Sequence, residues 1–150
     1  MTDVVIASAV RTPIGKFGGA LGGVSAAELG RIVAEESLRR AGLSPDDVDE
    51  TIIGHARQAG NGPNLARQVG FFAGIPVDRP GYTVNKACAS GLKAITLAYQ
   101  SIVTGEHDVV LAGVLTEDEL AGTDGRTLVH PVDGDVGHEF VCLVAVLGER

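Results

Sequence analysis

Nothing in the sequence reaches the roughly 20 consecutive apolar residues that a membrane-spanning helix requires. Its first residues, MTDVVIASAVRT, carry charge too early for the apolar segment of a signal peptide, so a cytoplasmic protein without a membrane partner is expected. Basic residues are few: 12 lysines and arginines stand against 19 aspartates and glutamates, leaving a net charge of −7. These cations are scattered, which excludes the concentrated positive patch that nucleic acid or an anionic membrane surface would need. Two cysteines, Cys88 and Cys142, are too few for a disulfide scaffold, and both are expected as free thiols. Paired C-x-x-C and H-E-x-x-H spacings are lacking. His130, His138, Glu139 and Cys142 could be grouped as ligands only without such spacing, so neither a metal nor another cofactor is expected. The glycine-rich loop from Gly15 to Gly23 lacks the G-x-G-x-x-G spacing of a dinucleotide cradle. There is no internal repeat or linker, and 45% hydrophobic residues suffice for one core, so residues 1–150 are read as a single domain.

What is present is an alternation of strand-like and helix-like segments, which predicts an α/β fold. Val4 to Val10 is a β-branched strand halted by Pro13. Ser25 to Glu28 offers a capping box, with serine accepting a backbone N–H and glutamate returning to the serine N–H; Leu29, Ile32 and Val33 then line a helix that ends near Gly42. Asp49 to Gly54 is a strand and Asn64 to Ala73 a short helix. Gly81 to Ala87 is a third strand, and Leu92 to Val103 a third helix with Leu92, Ile95, Tyr99 and Ile102 at helical spacing. Val109 to Gly113 is continuously apolar, as a strand covered on both faces should be. The acidic, glycine-rich stretch from Thr116 to Gly137 reads as a surface connection, within which Glu117 to Glu119 is a solvated turn. Glu139 to Leu147 follows as a fifth strand. The order is βαβαβαββ.

The stretch TVNKACASGLKAITLAYQ places Cys88 where the third strand passes into the third helix. Two assignments compete. The first unpaired N–H groups of a helix and the positive end of its macrodipole favour an anion, and the small neighbours Ala89, Ser90 and Gly91 leave the sulfur open to a substrate carbonyl whose oxyanion those N–H groups could stabilise. Against this, free cysteine is often a packed small apolar residue, and residue type alone favours burial. Cys142, inside an apolar strand with no adjacent glycine, reads as a core thiol.

Four segments, VIASAVRTPIGKFGGAL, NLARQ, TVNKACASGLKAI and DVVLAGVLTE, resemble the amino-terminal half of the thiolases, enzymes that transfer acyl groups between coenzyme A thioesters and carbon nucleophiles. The similarity runs from about Val4 to Ala112, and N-x-x-C-x-S-G-L is its specific part. It implies a thiolase-type half-fold with a five-stranded mixed sheet carrying packed helices. It also implies that Cys88 matches the nucleophile that takes the acyl group as a thioester. In this light Asn64, Arg67 and Gln68 are expected on a helix at a subunit contact.

The departures shape the functional expectation. Gly113 to Leu120 stands where the family has a G-G-x-E-S-M-S-like segment, and only Ala121 to Asp135 stands where its long loop domain, source of most coenzyme A contacts, is inserted. The asparagine, the G-H-P histidine and the C-x-G cysteine that a thiolase draws from its second half have no counterparts in these residues. His130, in a V-H-P sequence, is the local candidate for a weak base, against a solvated loop histidine. The expectation is a self-associating scaffold, most simply a homodimer, with little or no turnover. The alternative is a minimal acyltransferase or thioesterase that forms a Cys88 acyl-thioester from acyl-coenzyme A.

Overall fold

The computed structural model describes residues 3–14, 19–116 and 140–149, with side chains over 3–14 and 19–115. His130, His138, Glu139, the turn 117–119 and most of the predicted connection lie outside the described residues, as does the side chain of Cys142. Eight elements follow the expected order: β1 (Asp3–Arg11), α1 (Ala26–Ala41), β2 (Glu50–His55), α2 (Leu65–Phe72), β3 (Gly81–Val84), α3 (Ser90–Val103), β4 (Val109–Thr116) and β5 (Phe140–Glu149), with an unanticipated 3-10 turn at Pro45–Asp47.

Local chemistry sets the boundaries. Ser25 caps α1 by accepting the Glu28 N–H at 3.2 Å, and Gly42 ends it in the left-handed conformation at φ 71°. The expected capping box is only half formed, because the Glu28 carboxylate pairs with Arg31 at 2.6 Å. The second half of such a box occurs instead at Ser44, whose N–H donates to Asp47 at 2.7 Å and holds that carboxyl below its ordinary range. Asn64 caps α2 by accepting the Arg67 N–H.

The five strands form one mixed sheet in the order β1-β5-β4-β2-β3. β2 is parallel to β3 and to β4, whereas β5 is antiparallel to β4 and β1. The crossovers from β2 to β3 and from β3 to β4 run in opposite directions along the sheet. Since both crossovers are right-handed by the general rule, α2 and α3 must fall on opposite faces. They do. On one face Leu29, Val33 and Leu38 of α1 and Leu65 and Val69 of α2 pack with Ile53, Leu111 and Leu115; on the other, Ala94, Ala98 and Ile102 of α3 pack with Ile52, Val110 and Ala112. β4 supplies both cores by strict alternation, as its unbroken apolar sequence predicts.

The helical faces correct two expectations. Ile32 of α1 is 45% exposed, and Leu92 and Tyr99 of α3 are 70% and 52% exposed, although their spacing marked them for the core. On α3 the sheet is met instead by Ala94, Ala98 and Ile102, and the two alanines let the helix lie close to it.

Candidate functional site

The three parallel strands end at the same edge of the sheet, and Cys88 lies on the chain just beyond β3. The strand stops at Val84, three residues short of the expected end, because Asn85 opens a turn: its Oδ1 accepts the Ala87 N–H at 3.0 Å. Ala87 takes φ 48°, a left-handed conformation that a residue with a Cβ adopts at a cost of roughly 1–2 kcal/mol. Ser90, 1% exposed, locks the turn from below, its hydroxyl accepting the Lys86 N–H at 2.8 Å and donating to the Ala87 carbonyl at 2.7 Å. The Ala89 and Ser90 N–H groups donate to the carbonyls of Lys86 and Ala87 at 3.0 and 3.1 Å. Between these bonds Cys88 is exposed, not packed.

Two glycines bring α3 onto the strand ends. A Cβ at Gly54 of β2 would stand 2.4 Å from the Ser90 carbonyl carbon and oxygen, and one at Gly91 would stand 2.8 Å from Val114 of β4. Neither contact is sterically possible, so both positions require glycine for close backbone approach.

A cleft of about 670 Å³ opens at this edge, in the crevice beyond the carboxyl ends of the strands where open α/β sheets bind ligands. Cys88 and Asn85 line it, with Leu92 and Ile95 of α3, Val114 of β4, and Arg57 from the loop after β2. Arg57 carries the charge among these lining residues, and no histidine, aspartate or glutamate is among them. The expected cluster Cys88, Ala89, Ser90 and Gly91 is thus brought together at the start of α3. At this terminus the N–H groups of Gly91 and Leu92 are, among the described residues, without a carbonyl partner outside α3, whereas that of Lys93 bonds to Ala89.

Sequence reasoning passed over three residues here. The signal for Asn85 was its place in N-x-x-C, and for Gly54 a glycine inside the apolar strand. The third, His55, is 1% exposed, but strand alternation turns it to the face opposite Gly54, away from α3. Its Nδ1 donates to the Leu115 carbonyl at 2.9 Å, leaving Nε2 to accept from Asn61 at 3.2 Å. It is a buckle between strand ends, not a base for Cys88. Asn64, Arg67 and Gln68, all half-buried, bond within the chain: Asn64 to Gly81 and Thr83, Arg67 to the carbonyls of Val77 and Arg79, Gln68 to that of Asn61. Among the described residues no group of three or more histidines, cysteines or acids is placed to hold a metal, and no helix is long and apolar enough to cross a membrane.

Comparison with known proteins agrees with this architecture. The family profile described as "Thiolase, N-terminal domain" matches residues 4–116. A "Probable acetyl-CoA acyltransferase" of Staphylococcus aureus (strain NCTC 8325 / PS 47) is 56% identical over 113 residues, covering 75% of this chain and 29% of the relative. Its counterpart in strain MRSA252 is 55% identical over the same length. The crystal structure of the Bacillus anthracis acetyl-CoA acetyltransferase superposes with a TM-score of 0.76 at 40% identity, over 87% of this chain and 34% of that one. The chain therefore spans about a third of the length of these relatives. With the mixed sheet, the central α3 and the matched profile in agreement, the chain belongs to the thiolase family and carries its amino-terminal domain.

Proposed function

We propose that Cys88 is the acyl-accepting nucleophile of a thiolase-type half-site, and that residues 1–150 act as one domain. The observation that carries this reading is the placement of an exposed thiol in an apolar cleft at the N-terminus of α3. In the step assigned to it, the sulfur attacks the carbonyl carbon of an acyl-coenzyme A thioester and forms a new C–S bond. The C–S bond to coenzyme A breaks, and the proton lost by the cysteine ends on the departing coenzyme A thiol. One thioester replaces another, so the step is close to energetically neutral and its extent follows the ratio of acyl-coenzyme A to free coenzyme A. The transient oxyanion is assigned to the N–H groups at the start of α3, where those of Gly91 and Leu92 are without a carbonyl partner outside the helix.

Turnover is little or none in this reading, because the described cleft residues include no side chain able to take a proton from an incoming nucleophile. His130 is retained as the local candidate for a weak base. The domain serves as a self-associating unit, a homodimer, in the reducing cytoplasm, and Leu92, Tyr99 and Val103 on the outer face of α3 are the apolar surface such a partner would cover. Incubation with acetyl-coenzyme A in the absence of free coenzyme A, followed by intact mass measurement and peptide mapping, should show one acetyl group on Cys88 and none on Cys88→Ser. Wild-type protein without an adduct beyond that control overturns the acyl-acceptor reading. Sustained release of coenzyme A through many cycles overturns the low-turnover part. A monodisperse monomer by light scattering at high concentration overturns the homodimer.

A further inference from the structure

We infer that Asn85 is a positioning residue that straps the Cys88 turn to the neighbouring loop after β2 and so sets the aim of the backbone donors around the sulfur. The inference rests on Cys88 being the acyl acceptor.

Asn85 uses both ends of its amide. Its Oδ1 accepts the Ala87 N–H at 3.0 Å, and its Nδ2 donates to the Ala56 carbonyl, also at 3.0 Å. The first bond fixes the residue before Cys88 in its left-handed conformation. The second crosses from the turn after β3 to the loop after β2, beside Arg57. Its orientation is unambiguous, because only the oxygen can accept from Ala87 and only the nitrogen can donate to Ala56. Ser90 secures the same turn from the buried side, but both of its bonds stay within residues 86–90. Asn85 thus ties the turn to the neighbouring loop after β2, whereas Ser90 maintains the turn itself.

Acyl transfer is sensitive to this arrangement and simple alkylation is not. Attack on a thioester needs the carbonyl oxygen over fixed N–H donors, whereas a haloacetamide needs only an accessible sulfur. Misplacement by about 1 Å can cost on the order of 100-fold in an oriented reaction.

The test compares wild-type protein with Asn85→Ala and Asn85→Asp by three measurements: acetylation of Cys88 by acetyl-coenzyme A, alkylation of Cys88 by iodoacetamide, and amide hydrogen exchange at Ala87. Asn85→Ala should slow acetylation on the order of 100-fold while slowing alkylation less than about threefold, and should speed Ala87 exchange by about fivefold or more. Asn85→Asp keeps the acceptor for Ala87 but not the donor to Ala56. It should retain slow exchange at Ala87, with acetylation between that of wild type and Asn85→Ala. The inference is overturned if Asn85→Ala acetylates at the wild-type rate, if both reactions fall by the same factor, or if Ala87 exchange is unchanged. Should Asn85→Ala not fold, Asn85→Asp decides alone: wild-type acetylation there removes the strap to Ala56 from the account. Should wild-type protein take no acetyl group, the acyl-acceptor reading fails. Unchanged Ala87 exchange in Asn85→Ala would then overturn the positioning role as well.

Discussion

Placing a methyl group on Gly54 should test how tightly α3 is held against the sheet. The added Cβ would lie 2.4 Å from the Ser90 carbonyl group and 2.7 Å from the Gly91 nitrogen, whereas ordinary contact begins at 3.4 Å. About 1 Å of space is therefore missing. β2 cannot retreat to supply it, because Gly54 is paired on one side with Val84 and on the other with Val114. The first turn of α3 must lift instead, while Ala94, Ala98 and Ile102 remain anchored on Ile52, Val110 and Ala112. Overpacking of this kind costs about 1–3 kcal/mol. For a domain of this size, a loss near 2 kcal/mol lowers the melting temperature by roughly 4–8 °C. Urea and thermal unfolding of Gly54→Ala, beside Gly23→Ala as a site where an added Cβ meets nothing within 4 Å, would measure it. If Gly54→Ala is as stable as wild type to within about 0.5 kcal/mol, the close approach argued for α3 is not what holds it.

Other perturbations have definite signs. Ala87→Gly removes a Cβ from a residue at φ 48° and should raise stability by about 0.5–1 kcal/mol, read by urea unfolding; a loss would show that the left-handed residue is not strained. Ser90→Ala leaves the Lys86 N–H and the Ala87 carbonyl without their hydroxyl partner and should cost about 1–3 kcal/mol, so an unchanged midpoint would contradict the lock assigned to it. Burial raises the Glu50 carboxyl above its ordinary range and Glu106 adds to this, against the opposing His107 ring 3.6 Å away. The folded state thus favours the neutral acid, and the stability this contributes is present below pH 4.5 and lost as the pH rises through the raised value. Glu50→Gln should melt above wild type at pH 7, with the gap narrowing on acidification; a gap that widens at low pH would reverse the argument.

The succession of strands and helices was readable because the apolar runs and glycine stops are local signals. Exposure of Cys88 followed less directly: residue type argued for burial, and only the strand-to-helix junction argued against it. The helix faces were misread for a physical reason. Periodicity weighs large apolar residues, so Leu92 and Tyr99 of α3 outranked Ala94 and Ala98, yet where two glycines bring the start of the helix onto the sheet its first inward positions have room only for small side chains, and Ile102 fits at the far end. The capping box at α1 failed because Arg31 offers Glu28 a charged partner three residues along. Asn85 could not be assigned a role from spacing, since its amide spans to Ala56, 29 residues earlier in the chain.

The pairing of Thr116 with Phe140 leaves β4 and β5 as antiparallel neighbours whose junction opens at the same rim as Cys88. Such a junction is a natural graft point. Closing a flexible span grows dearer only slowly, by about 0.6 kcal/mol for each doubling of its length, so the strands can stay in register whether a few residues or an entire extra module is spliced between them. Evolution or a protein engineer could then exchange whatever is spliced there without rebuilding the sheet on which the thiol's turn rests.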